Sequence, residues 1–381
     1  MVYSGLKYLV VGSGLWGAVF AEQIATELNE KVLVIDKRSH WGGNTYSEID
    51  AETGIECHKY GTHVFHTGNE SVWDYVNRFT SFNSYKHRVL ITHNDKVYFM
   101  PINLSTINSF YGLNLTPSEA QKFIQEEIKK ANISNPQNLE EKAISLIGKP
   151  LYDAFIKGYT QKQWETEPAN LPAEIITRLP VRTDYNVNYF SDKYEGIPTN
   201  GYGEMIKKIL SHPNIELKLN TDFYDIKAQL PADCKIIFTG MLDELLDYKF
   251  GALDWRSLNF EWQTHNVKDY QGISQMNYGN IEVPYTRIHE FKHFTPEKQE
   301  IFNSNKTIIS IEYSKSFSKG DDAYYPINNQ KNNKIYDLYK KEIEKKPNFI
   351  IGGRLGAYKY WDMDKAIENA LDTFDLLKGE I

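Results

Sequence analysis

The chain has 381 residues, 41% of them hydrophobic and 24% charged, which allows more than one packed core and excludes extended disorder. A net charge of -7 at pH 7 excludes a generally basic surface for nucleic acid or anionic lipid, so any phosphate site has to be local. Cys57 and Cys234 are too few for a disulfide framework or a four-cysteine zinc site. The first apolar run, Tyr8 to Val11, is too short for a signal peptide or membrane span, which predicts a cytoplasmic protein without membrane insertion.

In chain order, Lys7 to Val11 reads as a strand. Gly12-Ser13-Gly14-Leu15-Trp16-Gly17 follows, then a helical pattern through Ala18, Ala21, Ile24, Ala25 and Leu28; a second strand, Val32 to Ile35, ends on Asp36. Gly12 permits the tight turn, Gly14 lets the backbone approach a pyrophosphate, and Gly17 lets helix pack on strand. Free N–H groups at the helix start hold the phosphates, and Asp36 is placed to bond ribose hydroxyls. The chain runs on into Trp41-Gly42-Gly43-Asn44, a second glycine turn resembling that of FAD-binding proteins of the glutathione-reductase and amine-oxidase type. This favours FAD over NAD, against the simpler reading of an ordinary turn.

The stretch Cys57-His58-Lys59-Tyr60-Gly61-Thr62-His63-Val64-Phe65-His66-Thr67 leaves several readings open. His63 and His66 are a metal pair, structural histidines or neighbours of a flavin, and Cys57 is a buried structural cysteine or an activated thiol. A helix is expected from about Ser71 to Phe79, then a hairpin over Val89 to Met100 turning at Asn94-Asp95. From Leu104 to Trp164 the pattern is helical, with Thr116-Pro117-Ser118-Glu119 as an N-terminal cap and further helices over Leu139 to Ile147 and Leu151 to Tyr159. Glu165 to Pro172, with two prolines and no apolar periodicity, reads as an exposed loop, a candidate lid.

Gly201-Tyr202-Gly203 precedes a helix, and Lys235 to Phe238 is a strand ending at Thr239-Gly240. Runs such as Phe260 to Thr264 and Thr307 to Tyr313 predict antiparallel sheet. Phe349 to Arg354 is another strand and glycine turn, with a helix from Met363 to Leu377. The expected architecture is α/β: a discontinuous Rossmann-like FAD-binding domain (1–80, 196–245 and 340–381) with a helical insertion (100–170) and an antiparallel β-sheet domain (171–195 and 246–339). Tyrosine outnumbers phenylalanine, 26 to 19, which favours a wet aromatic cleft.

Taken singly, Arg178, Arg287 and Arg354 read as surface charges. Five separated strings nonetheless resemble bacterial UDP-galactopyranose mutases in order: Gly61-x-His63-x-Phe65-His66-Thr67, Arg178-Leu179-Pro180-Val181-Arg182, Tyr189-Phe190, Tyr324-Tyr325-Pro326-Ile327-Asn328, and Gly353-Arg354 through Asp362, Met363 and Asp364. The resemblance implies an isomerase that contracts a UDP-linked galactose ring on reduced FAD without net redox. In that family the flavin N5 attacks the anomeric carbon, UDP departs, and the opened sugar recloses through another hydroxyl before UDP returns.

On the same resemblance, Arg178 and Arg287 neutralise the UDP pyrophosphate and the phenols of Tyr189, Tyr325 and Tyr360 add hydrogen bonds. Phe155, Tyr159, Thr160, Trp164 and Asn277 complete the substrate site, while His63, Arg354 and Asp362 sit near flavin and sugar. The implied catalytic set is His63, Arg178, Arg287, Tyr325, Arg354, Tyr360 and Asp362. FAD contacts are implied for residues 12–17, Asp36, Lys37, Gly43, Asn44, His63, Gly353, Arg354 and Met363, with no metal. The loop from Glu165 to Thr177 is expected to close over UDP and bring Arg178 inward.

The resemblance further implies a homodimer. Thr62 stands where the family commonly has proline, and Cys57-His58-Lys59 also departs from its pattern, which leaves the sugar open among galactose, N-acetylgalactosamine and another UDP-pyranose. An FAD oxidase or dehydrogenase and a non-catalytic nucleotide-sugar sensor are the competing readings.

Overall fold

The computed structural model of the chain describes residues 3–176 and 181–380. Short runs of Val, Ile and Leu without alternation form a parallel sheet buried on both faces. Its strands lie in the order Phe349–Ile351, Lys235–Phe238, Tyr8–Val11, Val32–Ile35, Ile215–Lys218, so it is assembled from separated stretches of chain. Val10, Val34 and Ile237 face the helices Leu15–Glu27 and Met363–Glu380, while Leu9, Leu33, Ile35 and Phe238 face Phe223 and Ile226. The strand ends and the first helix's start open into one cleft, as the switch point of such sheets does.

A second sheet has seven strands in the order Tyr325–Pro326, Trp255–His265, Thr307–Ser316, Arg287–Glu290, Gln275–Tyr278, Val89–His93, Lys96–Met100. It is antiparallel except that Gln275–Tyr278 runs parallel to Val89–His93. The hairpin expected over 89–100 thus forms its edge, turning at Asn94 and Asp95 with positive φ. The 171–195 stretch was expected with this sheet, but none of its described residues joins it; Tyr194 instead pairs with Thr67 in a separate two-stranded ladder.

The helical region packs Ile107, Ile124, Leu139, Ile144, Leu151 and Phe155 around one core beside the hairpin. Pro117–Ala131 begins with the expected capping box of Thr116 and Glu119. The single helix expected over Leu151 to Tyr159 is three short pieces, Lys149–Tyr152, a π turn Asp153–Lys157 and Gly158–Trp164.

Residues 165–171 are exposed at Glu165, Glu167, Ala169 and Asn170, as their prolines suggest, but anchored between. Pro168 and Leu171 are buried, and Leu171 O accepts from Leu139 N at 2.9 Å. Glu165 Oε2 accepts from Arg256 Nη1 (2.7 Å) and Ser316 Oγ (2.6 Å). Arg256 is 2% exposed, so this ion pair ties the start of the segment to the sheet. No helix among the described residues is long and apolar enough to cross a membrane.

Candidate active site

The cleft at the ends of the parallel strands is walled by three glycine turns. Gly12, at φ +102, could carry no side chain, because a Cβ would lie 2.1 Å from Thr239 Oγ1, and a Cβ on Gly17 would lie 2.1 Å from Gly12 O. A Cβ on Gly14 would meet nothing nearer than Gly43 Cα at 3.8 Å, so no steric demand of the protein itself calls for glycine there. Gly42 and Gly43 form the second turn and Gly353 the third, and the cleft reaches to His63, Arg354, Trp361 and Met363. The Leu15–Glu27 helix starts from Gly14 with no side-chain cap, which leaves its first N–H groups for a ligand anion. Steric need at Gly12 and Gly17, open room at Gly14 and an uncapped helix start together fit the pyrophosphate of FAD.

Asp36 accepts Ser13 N–H (2.8 Å) and Ser13 Oγ–H (2.7 Å) on Oδ2 and Arg38 N–H (3.0 Å) on Oδ1. It therefore braces the glycine turn, and a ribose hydroxyl would have to share its remaining lone pairs. Lys37 is exposed at the cleft. Leu15 and Trp16 are buried, and Trp16 stacks on Phe20 and donates Nε1–H to Asn369. Asn44 Oδ1 accepts from Arg38, whose guanidinium also pairs with Asp322 and lies 4.3 Å from the Tyr60 ring centroid. Arg38 was not singled out in the sequence, although it lies two residues past Asp36.

At the cleft's inner end, His63 Nδ1 lies 2.7 Å from Gly61 O and so carries the proton, leaving Nε2 as an acceptor. Burial and the Arg354 guanidinium lower its pKa to about 4, so the ring is neutral near pH 7. Arg354 donates to Trp361 O (2.6 Å) and Tyr324 O (3.4 Å), and its guanidinium carbon lies 4.8 Å from the Tyr360 ring centroid. His66 bonds Asp192, so the two histidines have different partners. Burial pushes the Cys57 thiol up to about 12, which removes the activated-thiol reading.

Outside the lining of that cleft, a polar row crosses the seven-stranded sheet, where Asn277 lies opposite Arg287, and Arg287 opposite Glu312. Arg287 Nε donates to Glu312 Oε1 at 2.7 Å, and the carboxylate is 3% exposed. Burial alone would lower the pKa of Arg287, but Glu312 raises it well above the usual value. Among the described residues, no acceptor bonds its Nη atoms. Gln275 Nε2 donates to Asn277 Oδ1 (2.9 Å), which leaves the Asn277 amide nitrogen as its free end.

Tyr159, Tyr189 and Tyr325 lie near enough to this guanidinium for its charge to lower their phenol pKa values against burial. Burial raises the Tyr159 phenol to about 12 and raises that of Tyr325, so both remain donors, while Tyr189 is 40% exposed. Tyr325 and Tyr360 have ring centroids 5.3 Å apart, which joins this row to Arg354, and Asp362 acts electrostatically on Tyr189.

Thr160 is buried and Trp164 half-buried on the helix that carries Tyr159. Phe155 is not brought to the open cleft, because its ring, 1% exposed, packs against His93, Tyr98 and Phe110 one layer behind. Arg178 lies outside the described residues. Glu312 was missed, though a lone carboxylate within Thr307-Ile308-Ile309-Ser310-Ile311-Glu312 was a legible signal that a cation lay opposite.

A family model described as UDP-galactopyranose mutase matches residues 154–360, and one described as an NAD(P)-binding Rossmann-like domain matches residues 10–79. The chain is 42% identical over 367 residues to a probable UDP-galactopyranose mutase of Klebsiella pneumoniae, covering 96% of this chain and 93% of that protein. It is 40% identical over 374 residues to a dTDP-fucopyranose mutase of Escherichia coli, covering 97% and 98%. Its fold resembles the crystal structure of a reduced UDP-galactopyranose mutase with a TM-score of 0.74, at 16% identity over 99% of this chain and 96% of that one.

Proposed function

This chain belongs to the UDP-galactopyranose mutase family, a flavin-dependent family of isomerases, and from that premise we propose that it interconverts the pyranose and furanose forms of a nucleoside-diphosphate sugar, UDP-galactose first. The observation that carries the reading is Arg287, fixed at Nε by buried Glu312 and lying near neutral phenols beside the FAD cleft. Such a group is built to bind an oxyanion in two places. The glycine turns around Gly12, Gly43 and Gly353 would hold FAD, which in its reduced form would supply a nucleophile for the anomeric carbon.

The residues of the chain do the rest. Arg287, with Arg178 as its proposed partner, carries the negative charge of the departing diphosphate, and Tyr189, Tyr325 and Tyr360 donate to its oxygens. The nucleoside diphosphate is thereby retained for its return. Tyr159, Thr160, Trp164 and Asn277 hold the base and ribose, with Phe155 supporting them from behind. His63 and Arg354 occupy the boundary between flavin and sugar, where neutral Nε2 of His63 can accept a hydroxyl proton. Asp362 is assigned to the same boundary and Met363 to the FAD.

The test is chromatography of UDP-galactose, UDP-N-acetylgalactosamine and dTDP-fucose after incubation with the purified protein, with and without dithionite. dTDP-fucose is included because the two relatives above are named for different nucleotide sugars at nearly equal identity. A furanose product only under reduction establishes the activity and its sugar. Turnover that consumes an electron acceptor instead would favour the oxidase reading. In the same proposal the enzyme is a cytoplasmic homodimer supplying furanose units for polysaccharide assembly, and sedimentation tests the dimer.

A further inference from the structure

The Gly158–Trp164 helix rests on the turn that joins strands Gln275–Tyr278 and Arg287–Glu290. Two contacts make this seat. A Cβ on Gly158 would lie 2.3 Å from Gly279 O, so the helix backbone lies directly on the turn. One helical turn on, Lys162 Nζ donates to Tyr278 O (2.6 Å), Asn280 O (2.9 Å) and Tyr285 O (2.9 Å). An ammonium has three N–H groups, and all three are used on backbone carbonyls of a single turn. Tyr159, three residues before Lys162, shares its helix face. Tyr278 and Tyr285 adjoin Asn277 and Arg287 in the chain.

We propose that Lys162 is a positioning residue for the nucleoside diphosphate: it locks the helix side of the site, Tyr159 and Thr160, to the strand side, Asn277 and Arg287. This rests on the mutase reading above. The base and the diphosphate of one ligand lie on different elements, so drift of the helix across the turn would misalign one whenever the other is bound. Burial holds the Lys162 pKa down to about 8 against the opposing effect of Glu282. Of the other groups around the seat, the Tyr159, Tyr278 and Tyr285 phenols are held neutral by burial, and Glu165 and Glu312 are engaged by Arg256 and Arg287. Above pH 8 the amine has two N–H groups for three carbonyls, which loosens the seat.

The experiment uses the holoenzyme as wild type, Lys162→Met, and Lys162→Cys before and after aminoethylation, which rebuilds a lysine isostere; Cys57 and Cys234 are buried and spared. The readings are FAD content, kcat and KM for the sugar nucleotide that turns over, and Kd for UDP and dTDP, from about pH 7 to about pH 9.5. In Lys162→Met and unmodified Lys162→Cys, KM and Kd should rise about tenfold or more while kcat changes less than about threefold and FAD is retained. Aminoethylation should restore most of the affinity. Wild-type KM should climb above pH 8, and that of Lys162→Met should stay flat.

Unchanged KM and Kd in Lys162→Met, beside an active wild type, overturn the inference alone. So does a parallel loss of kcat, affinity and FAD that aminoethylation fails to reverse, since that is a folding defect. A wild type that converts no sugar nucleotide and binds neither UDP nor dTDP overturns the mutase reading and this inference with it.

Discussion

The two walls of the proposed site are built in opposite ways. The FAD wall is backbone: three glycine turns and a helix start, with side chains such as Asp36 bracing the turn from within. The facing wall is side chain: Tyr159, Tyr189, Asn277, Arg287, Tyr325 and Tyr360 come from separate elements, and a buried ion pair sets its charge. A backbone site needs a few residues in a fixed local order, whereas a side-chain site needs a whole fold to converge. The first should fail sterically when altered, the second electrostatically.

Arg287→Ala sharpens this contrast most. On the proposed function it removes two guanidinium hydrogen bonds to the diphosphate, each about 1.5–3 kcal/mol, so kcat/KM should fall at least about a hundredfold. It also strands Glu312, at a cost of about 3–5 kcal/mol of stability measurable by urea unfolding. Adding Glu312→Gln should return much of that stability and none of the activity. If the double variant is no more stable than the single one, the buried pair is not what sets this wall.

Gly17→Ala probes the other wall. A Cβ 2.1 Å from Gly12 O has only backbone to displace, so the protein should isolate with little FAD and a lowered Tm. Gly14→Ala separates ligand from fold. With 3.8 Å to the nearest protein atom, the apoprotein should melt like wild type while FAD affinity, read by fluorescence titration, falls. Equal Tm losses in both variants would break the assignment of Gly14 to the pyrophosphate.

Acid should weaken both walls through their buried histidines. Burial lowers the pKa of His58 and of His87 to about 3, and the Arg287 guanidinium adds to the effect at His87. Below pH 6.5 the unfolded chain takes up protons that the folded rings refuse, so stability falls as pH drops from 6.5 toward 3. Each histidine should account for on the order of 2 kcal/mol between pH 6.5 and 5. His87→Gln should flatten the slope of urea midpoint against pH by about half of the pair's share.

The smallest effect is expected at Thr62, whose buried Oγ1 has no hydrogen-bond partner among the described residues. Thr62→Pro should leave Tm within about two degrees of wild type and change the relative rates on UDP-galactose and dTDP-fucose by less than about tenfold. A larger switch would make this position a main determinant of sugar choice.

The sequence alone determined what depends on neighbours in the chain. The runs Tyr8–Val11, Val32–Ile35 and Lys235–Phe238 are too apolar to be anything but interior strands, the Thr116 cap fixes a helix start, and the glycine spacing at 12, 14 and 17 implies a phosphate turn. The order of the quoted strings was enough to indicate the family. Tertiary structure decided what depends on register and reach. Arg287 reads as a surface charge until strand pairing sets Glu312 opposite it, and residues 165–171 read as loose until Arg256 engages Glu165. Phe155 moved behind the site because its buried ring packs into the helical core, and Lys162 gained its partners only where a helix met a distant turn. Local backbone preferences are written in adjacent residues; the pairing of buried charges is a property of distances between segments, which the chain acquires only when it is packed.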